Sequence, residues 1–491
     1  MHRQWCAPVL LAGAALGFGC DTLLKAPDAQ YANMRFDAYL KSDKPQANAE
    51  FGQSIALDEA GLVATAPFED VVGPTGAVVP DGGAFYVFDM RQQLAPPRRL
   101  TTPNVDPGDA SFSGMLLPPG AGSTMTWGAM FVTLDKDWIA LGLPGEDSAL
   151  APSADIAVEE AQSDNNAEEA GAVYLYRRSN LAEAPKYIKA PNPSAGHLFG
   201  YATALSDGWL AVGAVGDSSS NPDDSADDGA KQSGAVFMYR YDASNDDFVF
   251  QQYLKAPRIH PGDMFGSAIS IERDLMAVGA ILEDGAGAGV TADYDDTSAQ
   301  NVGAVYTYRW TGRQWIFESY LKPADPSTGS LFGIVVRVID ARIAVGTPLG
   351  NRCPRDEFGS LLGVAYVFSR EHGEWADVQC LSPPSHAQNS LFGFVLNGYG
   401  KQLVVGAPWD PPEQAGAAYA FELQASGTWR ASAAVVAPNQ EALDGFGVAV
   451  AINSNTIAVG AIDESGADSG PHASLSSNDA HHAGAVYLFS Q

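Results

Sequence analysis

From residue 34 onward, apolar positions alternate with polar ones at a period of two, in short runs separated by Gly, Pro, Asp and Asn. Val, Ile, Tyr and Phe dominate these runs. Such side chains suit a pleated, half-buried surface, and the period is that of a strand. No stretch shows a sustained helical period bounded by caps. One pattern recurs, clearest between Phe265 and Tyr308. It reads Phe265-Gly266, an alternating run to Ile271, a turn at Arg273-Asp274, Met276-Ala277-Val278-Gly279-Ala280, an acidic loop, and Gly303-Ala304-Val305-Tyr306. The opening aromatic-Gly pair recurs at Phe51, Trp127, Phe199, Phe265, Phe332, Phe392 and Phe446. The closing run recurs at Gly83, Gly171, Gly234, Gly303, Gly363, Gly416 and Gly484.

A fourth strand-like run precedes each aromatic-Gly pair. Tyr187-Ile188-Lys189, Tyr253-Leu254-Lys255 and Tyr320-Leu321-Lys322 are strong copies. Arg99-Leu100-Thr101, Cys380-Leu381-Ser382 and Val435-Val436-Ala437 are weaker ones. Four strands in each of seven units predict an all-β, seven-bladed β-propeller of four-stranded antiparallel blades over residues 34–491. The last unit ends on its third strand, at Gly484 to Gln491, whereas Phe36 to Lys41 stands spare ahead of the first unit. Pairing the two would complete the last blade and leave no open edge.

The aromatic-Gly opening, the Val405-Gly406-Ala407-Pro408 middle and the Gly-x-Val-Tyr ending resemble FG-GAP repeats, those of the integrin alpha-subunit propeller and of many bacterial secreted proteins. The resemblance covers roughly residues 34–491 and implies the propeller fold. It does not imply an activity, because propellers host binding, scaffolding and catalysis alike. In the integrin type, an Asp-rich calcium loop joins the first two strands. Here that connection is a tight turn, as in Leu205-Ser206-Asp207-Gly208-Trp209, so integrin-type calcium sites are expected to be absent.

Residues 1–20 look like an export signal, with a basic start at His2 and Arg3 and an apolar stretch from Ala7 to Gly19 that is too short to span a bilayer. Its end, Leu16-Gly17-Phe18-Gly19-Cys20, resembles a lipoprotein lipobox and implies lipidation of Cys20; an ordinary secretory signal is the alternative. Residues 21–33 read as a tether. The expected address is therefore the cell envelope or outer surface, with the membrane reached through the N-terminal lipid. Of the four cysteines, Cys6 and Cys20 lie in this N-terminal segment, and Cys353 and Cys380 either pair, as an exported protein allows, or remain buried thiols.

The net charge is −30, from 58 acids against 28 bases. That excludes nucleic acid as a partner and argues against adsorption on anionic lipid. Half of the acids fall in the long loops between second and third strands, where Lys231, Arg352 and Arg355 are the bases. Alternation of strand direction puts these loops on one side of the ring. They either form a solvated rim or a binding face for a protein or glycan, one that calcium could assist; no cofactor is required. Asp223, Asp224, Asp227 and Asp228 form one candidate cation cluster and Asp293, Asp295 and Asp296 another; Glu146-Asp147 and Glu283-Asp284 follow their second strands directly. No nucleophile elbow or phosphate-cradling loop is present. A binding or adhesion module, acting as a monomer, is the leading expectation, and a hydrolase with carboxylates over the central channel is the alternative.

Overall fold

The computed structural model describes residues 34–490 except 74–75, 93–94, 104–110, 113–126, 129, 154, 351–352, 354–362, 372, 386 and 472. Cys20, with the signal and tether segments, lies outside the described residues. Seven four-stranded sheets are present, each antiparallel and each in the order first, second, third, fourth strand. In the fourth blade the strands are Phe265–Glu272, Leu275–Ala280, Ala304–Trp310 and Trp315–Leu321. The first strands contact one another in a closed circle and line a central channel. The seventh blade is completed by Arg35–Leu40, which pairs antiparallel with Ala485–Ser490. The expected seven blades and their closure by the N-terminal strand are both present.

Burial explains the hydrophobic pattern. The second strand Leu275–Ala280 is buried along its whole length, because neighbouring blades cover both its faces. The fourth strand Asp247–Leu254 is mostly exposed or half-buried, because it forms the outer edge of its blade. Trp315, at the start of a fourth strand, is buried and meets Trp209 of the preceding blade edge-on, with ring centroids 5.7 Å apart.

The three glycines of the repeat belong to one joint between blades. The Phe265 N–H donates to Ser233 O, and Gly234 lies so close that a Cβ there would sit 2.1 Å from Phe265 O. A Cβ on Gly213 would sit 2.1 Å from Gly266 O. Gly234 and Gly266 also have φ of 78° and 93°, a region that disfavours other residues. The Phe265 ring is fully buried and packs edge-on against Tyr306 and Tyr308. Burial of such a ring contributes about 1.5–3 kcal/mol. The same joint spans the seam, where a Cβ on Gly484 would meet Phe51 O at 2.2 Å. The second unit differs, because Trp127–Gly128 pairs with Ser111–Phe112 in a separate short ladder.

Candidate functional site

Strand order places the connections from second to third strand, and from fourth strand to the next blade, on one face. The expected cation ligands lie there, but they serve the loops themselves. The Asp227 carboxylate accepts the Ser220 N–H and hydroxyl, both at 2.6 Å, and the Gly229 N–H at 3.2 Å. These bonds, those from Ser220 foremost, hold its pKa below the usual carboxylate range. Asp224 accepts the Ala226 N–H, and the N–H of Asp223 donates to Asn221; Asp223, Asp224 and Asp228 are exposed. In the next blade, Asp293 accepts the Asp295 N–H, and Asp296 accepts those of Ala286 and Ser298. Asp295 pairs with exposed Arg258 at 2.6 Å. Among the described residues, no three His, Cys, Asp or Glu side chains come together to hold a metal ion. Neither aspartate set is therefore gathered into a cation site.

The acids that directly follow second strands have another use. Glu146 and Glu283 are not exposed calcium ligands; each is buried against a lysine. Lys189 Nζ lies 2.6 Å from Glu146 Oε2, and Tyr187 donates to the other oxygen. Lys322 pairs with Glu283, which also accepts the Tyr320 hydroxyl at 2.6 Å, while Lys322 donates to Gly303 O at 2.8 Å. Lys255 pairs with Asp217 at 2.9 Å and donates to Ser233 Oγ. Lys41, just past the closing strand, pairs with Glu464 at 2.6 Å. Burial pulls Lys41, Lys255 and Lys322 below the ordinary lysine range, and their carboxylate partners offset part of that.

Two further blades vary the theme. Glu69 takes Arg99 at 2.6 Å and the Tyr86 hydroxyl at 2.6 Å. Asp410 takes the hydroxyls of Tyr419 and Ser385 and pairs with no cation among the described residues; burial raises its pKa. The fifth blade has Gly350 at the place of the acid and Cys380 at that of the tyrosine, and there Cys353 and Cys380 form a disulfide with Cα atoms 5.5 Å apart. Each latch ties the end of a second strand to the end of a fourth, over the start of the third. The roots of the long loops are thereby pinned. The Tyr-Leu-Lys run marks a strand in the sequence, but the constant place of the acid three residues past the second strand was the signal for its partner.

Removing these buried acids leaves a face less negative than the loop composition suggests, and large apolar side chains stand out on it, Val72 and Val78 in the first blade and Trp409 and Leu443 at the sixth. Trp409 and Leu443 are 50% and 53% exposed. Trp409 sits in the short loop of the sixth blade, and the Leu443 N–H donates to Glu413 O of that same loop. The wall of the channel cavity, by contrast, is formed by Thr133, Leu134, Thr203–Leu205, Ile269–Ile271 and Arg337, with no carboxylate among them. The hydrolase alternative, which needs carboxylates over the channel, finds none in that wall.

The FG-GAP repeat family matches residues 248–308 and 429–489. Each matched segment starts in the fourth strand of one blade and ends in the third strand of the next, so the sequence repeat straddles the glycine joint. No curated protein matches the chain. With the strand order of these two matched units repeated in every blade, the chain is a seven-bladed β-propeller that carries FG-GAP repeats.

Proposed function

We propose that the protein is an exported, envelope-anchored binding module that presents its loop face to a protein partner carrying basic and apolar groups. The observation that carries this reading is directional. The closing strand starts at Arg35 on the face opposite the long loops and ends beside Lys41 at their roots. An anchor attached through residues 21–33 would hold the loop face away from the membrane. That face bears exposed Trp409 and Leu443 among exposed acids such as Glu413. Aromatic anchors ringed by charge are how protein interfaces concentrate affinity and specificity. The carboxylates of Asp224, Asp227, Asp293 and Asp296 accept backbone N–H groups, and the exposed acids around them would be met by lysines and arginines of the partner.

A photo-reactive phenylalanine analogue in place of Trp409 tests this in the source cells. The expected result is a covalent adduct with one protein, mapped to a Lys/Arg-rich surface and lost when Leu443→Ser is added. No adduct, an adduct confined to glycan, or equal labelling of that protein by an identical probe at Val249 on the outer strand would overturn it.

A further inference from the structure

The central channel contains one feature that runs against the charge of the whole chain. The residue paired with the third position of each second strand is Ala56, Thr133, Ala204, Ser270, Arg337, Asn397 or Ala451, in blade order. These seven form one layer of the innermost strands. Six are small or neutral, and Arg337 is the sole charge. Its neighbours in the layer tie adjacent blades together: Ser270 Oγ accepts the Val338 N–H at 3.0 Å, and Asn397 Nδ2 donates to Val450 O. Arg337 makes no hydrogen bond and no ion pair with the described residues. Its side chain is open to the channel, yet protein surrounds it, and that enclosure lowers its pKa below the ordinary arginine range; Glu272 offsets this only in part. The guanidinium remains charged at neutral pH.

Arg337 borders a cavity of about 90 Å³ shared with Thr133, Thr203 and Ser270 from three other blades. This is several times the space that one water needs. A guanidinium presents its donors in a planar fork that matches two oxygens of one planar anion. Hydroxyls of the residues that share the cavity can bond the remaining edge of such an anion. The net charge of −30 disfavours a multiply charged species, and one arginine balances one negative charge. We propose that Arg337, with the hydroxyls of Thr133, Thr203 and Ser270, forms a channel site for a small, planar, singly charged oxyanion of the carboxylate or nitrate type.

The test is a titration of the whole propeller with [13C]formate and, separately, [15N]nitrate at constant chloride, with line broadening as the readout. Saturable broadening of at least one of the two is expected, and which one responds tells an organic from an inorganic source. Arg337→Gln should weaken binding about tenfold or more, the loss expected for charged hydrogen bonds. Arg337→Lys, which keeps the charge and loses the fork, should fall between the two. If Arg337→Gln does not fold, Thr203→Val serves, since it keeps the shape and removes a hydroxyl; it should weaken binding measurably. Broadening that is absent from the wild type, or equal in wild type and variant, overturns the site. Arg337→Lys equal to wild type overturns the selectivity for a planar anion.

Discussion

Replacing Lys322 with Met should be among the most damaging single changes on the ring that leave its shape intact. Met keeps an unbranched stem and removes the ammonium. Lys322 is fully buried, and its Nζ donates to Glu283 and, at 2.8 Å, to Gly303 O. The variant leaves a buried carboxylate with the Tyr320 hydroxyl as its remaining side-chain donor, at 2.6 Å, and deprives Gly303 O of a partner. Breaking a buried pair from one side typically costs about 3–5 kcal/mol, whereas an exposed pair is worth about 0–1 kcal/mol. The double variant Lys322→Met/Glu283→Gln should recover most of the loss. It has no unpaired charge, Tyr320 can donate to the glutamine oxygen, and about 1–2 kcal/mol remains for imperfect hydrogen bonding. In the single variant the Glu283 carboxyl should titrate at a higher pH in the folded than in the unfolded chain. Its protonated form then favours folding, so the deficit against wild type should shrink from pH 8 to pH 5. Urea unfolding followed by tryptophan fluorescence measures this, with amide exchange in Trp315–Leu321 as a local readout if the ring does not unfold in one step. A single-variant cost below about 1 kcal/mol, or a double variant as unstable as the sum of the two singles, would refute the latch.

Deleting residues 34–42 removes the ladder from Arg35↔Ser490 to Leu40↔Val486 together with Lys41, and should lower the unfolding midpoint and increase self-association through the freed edge; an unchanged midpoint counts against closure. Asp263 is buried, and burial with the nearby Glu283 and Asp284 pushes its pKa up to about 8, while Lys322 and Arg258 pull against this. A carboxyl raised in the folded state stabilises below its unfolded pKa and loses that contribution as pH rises through the folded value, so Asp263→Asn should stabilise relative to wild type at pH 9 and show little advantage at pH 5. No dependence of that difference on pH would show that the proton is not held there. Cys20→Ser should shift the protein from the membrane to the soluble fraction, and retention of the variant on the membrane, with no acyl chain on the wild type, would remove the anchor from the proposed function.

The ring was legible because its determinants are local and repeated. Phe-Gly, Val-Gly-Ala and Gly-Ala-Val-Tyr each mark a place where backbones of two blades touch, and no bulkier residue fits at positions such as Gly234. The closing strand could be read from a surplus at one end and a deficit at the other. The latches were harder to see, because a carboxylate in an acidic loop looks the same whether it faces water or a lysine. What separates Glu283 from Asp293 is its fixed offset from a strand end and a lysine at a matching offset from another. The fifth blade carries the same message in reverse, since it lacks both acid and lysine and has a cystine in their stead. Arg337 gave no signal: on a strand as short as Val336–Ile339, pairing register decides whether a side chain borders the channel, and four residues of sequence do not fix that register.

The pairing of the first strand with the last also sets how the ring bears tension. Arg35 lies opposite Ser490, so the two ends of the chain leave side by side. Pulling those ends apart would peel the ladder one pair at a time, each step opposed by a single pair. A pull on residue 34 opposed at the loop face acts along the strand axis instead. All five paired positions then share the load in shear, with the buried Lys41–Glu464 contact at the far end as a stop. The same clasp is thus weak between the termini and strong along the strand axis, the direction in which the proposed anchor and partner would load it.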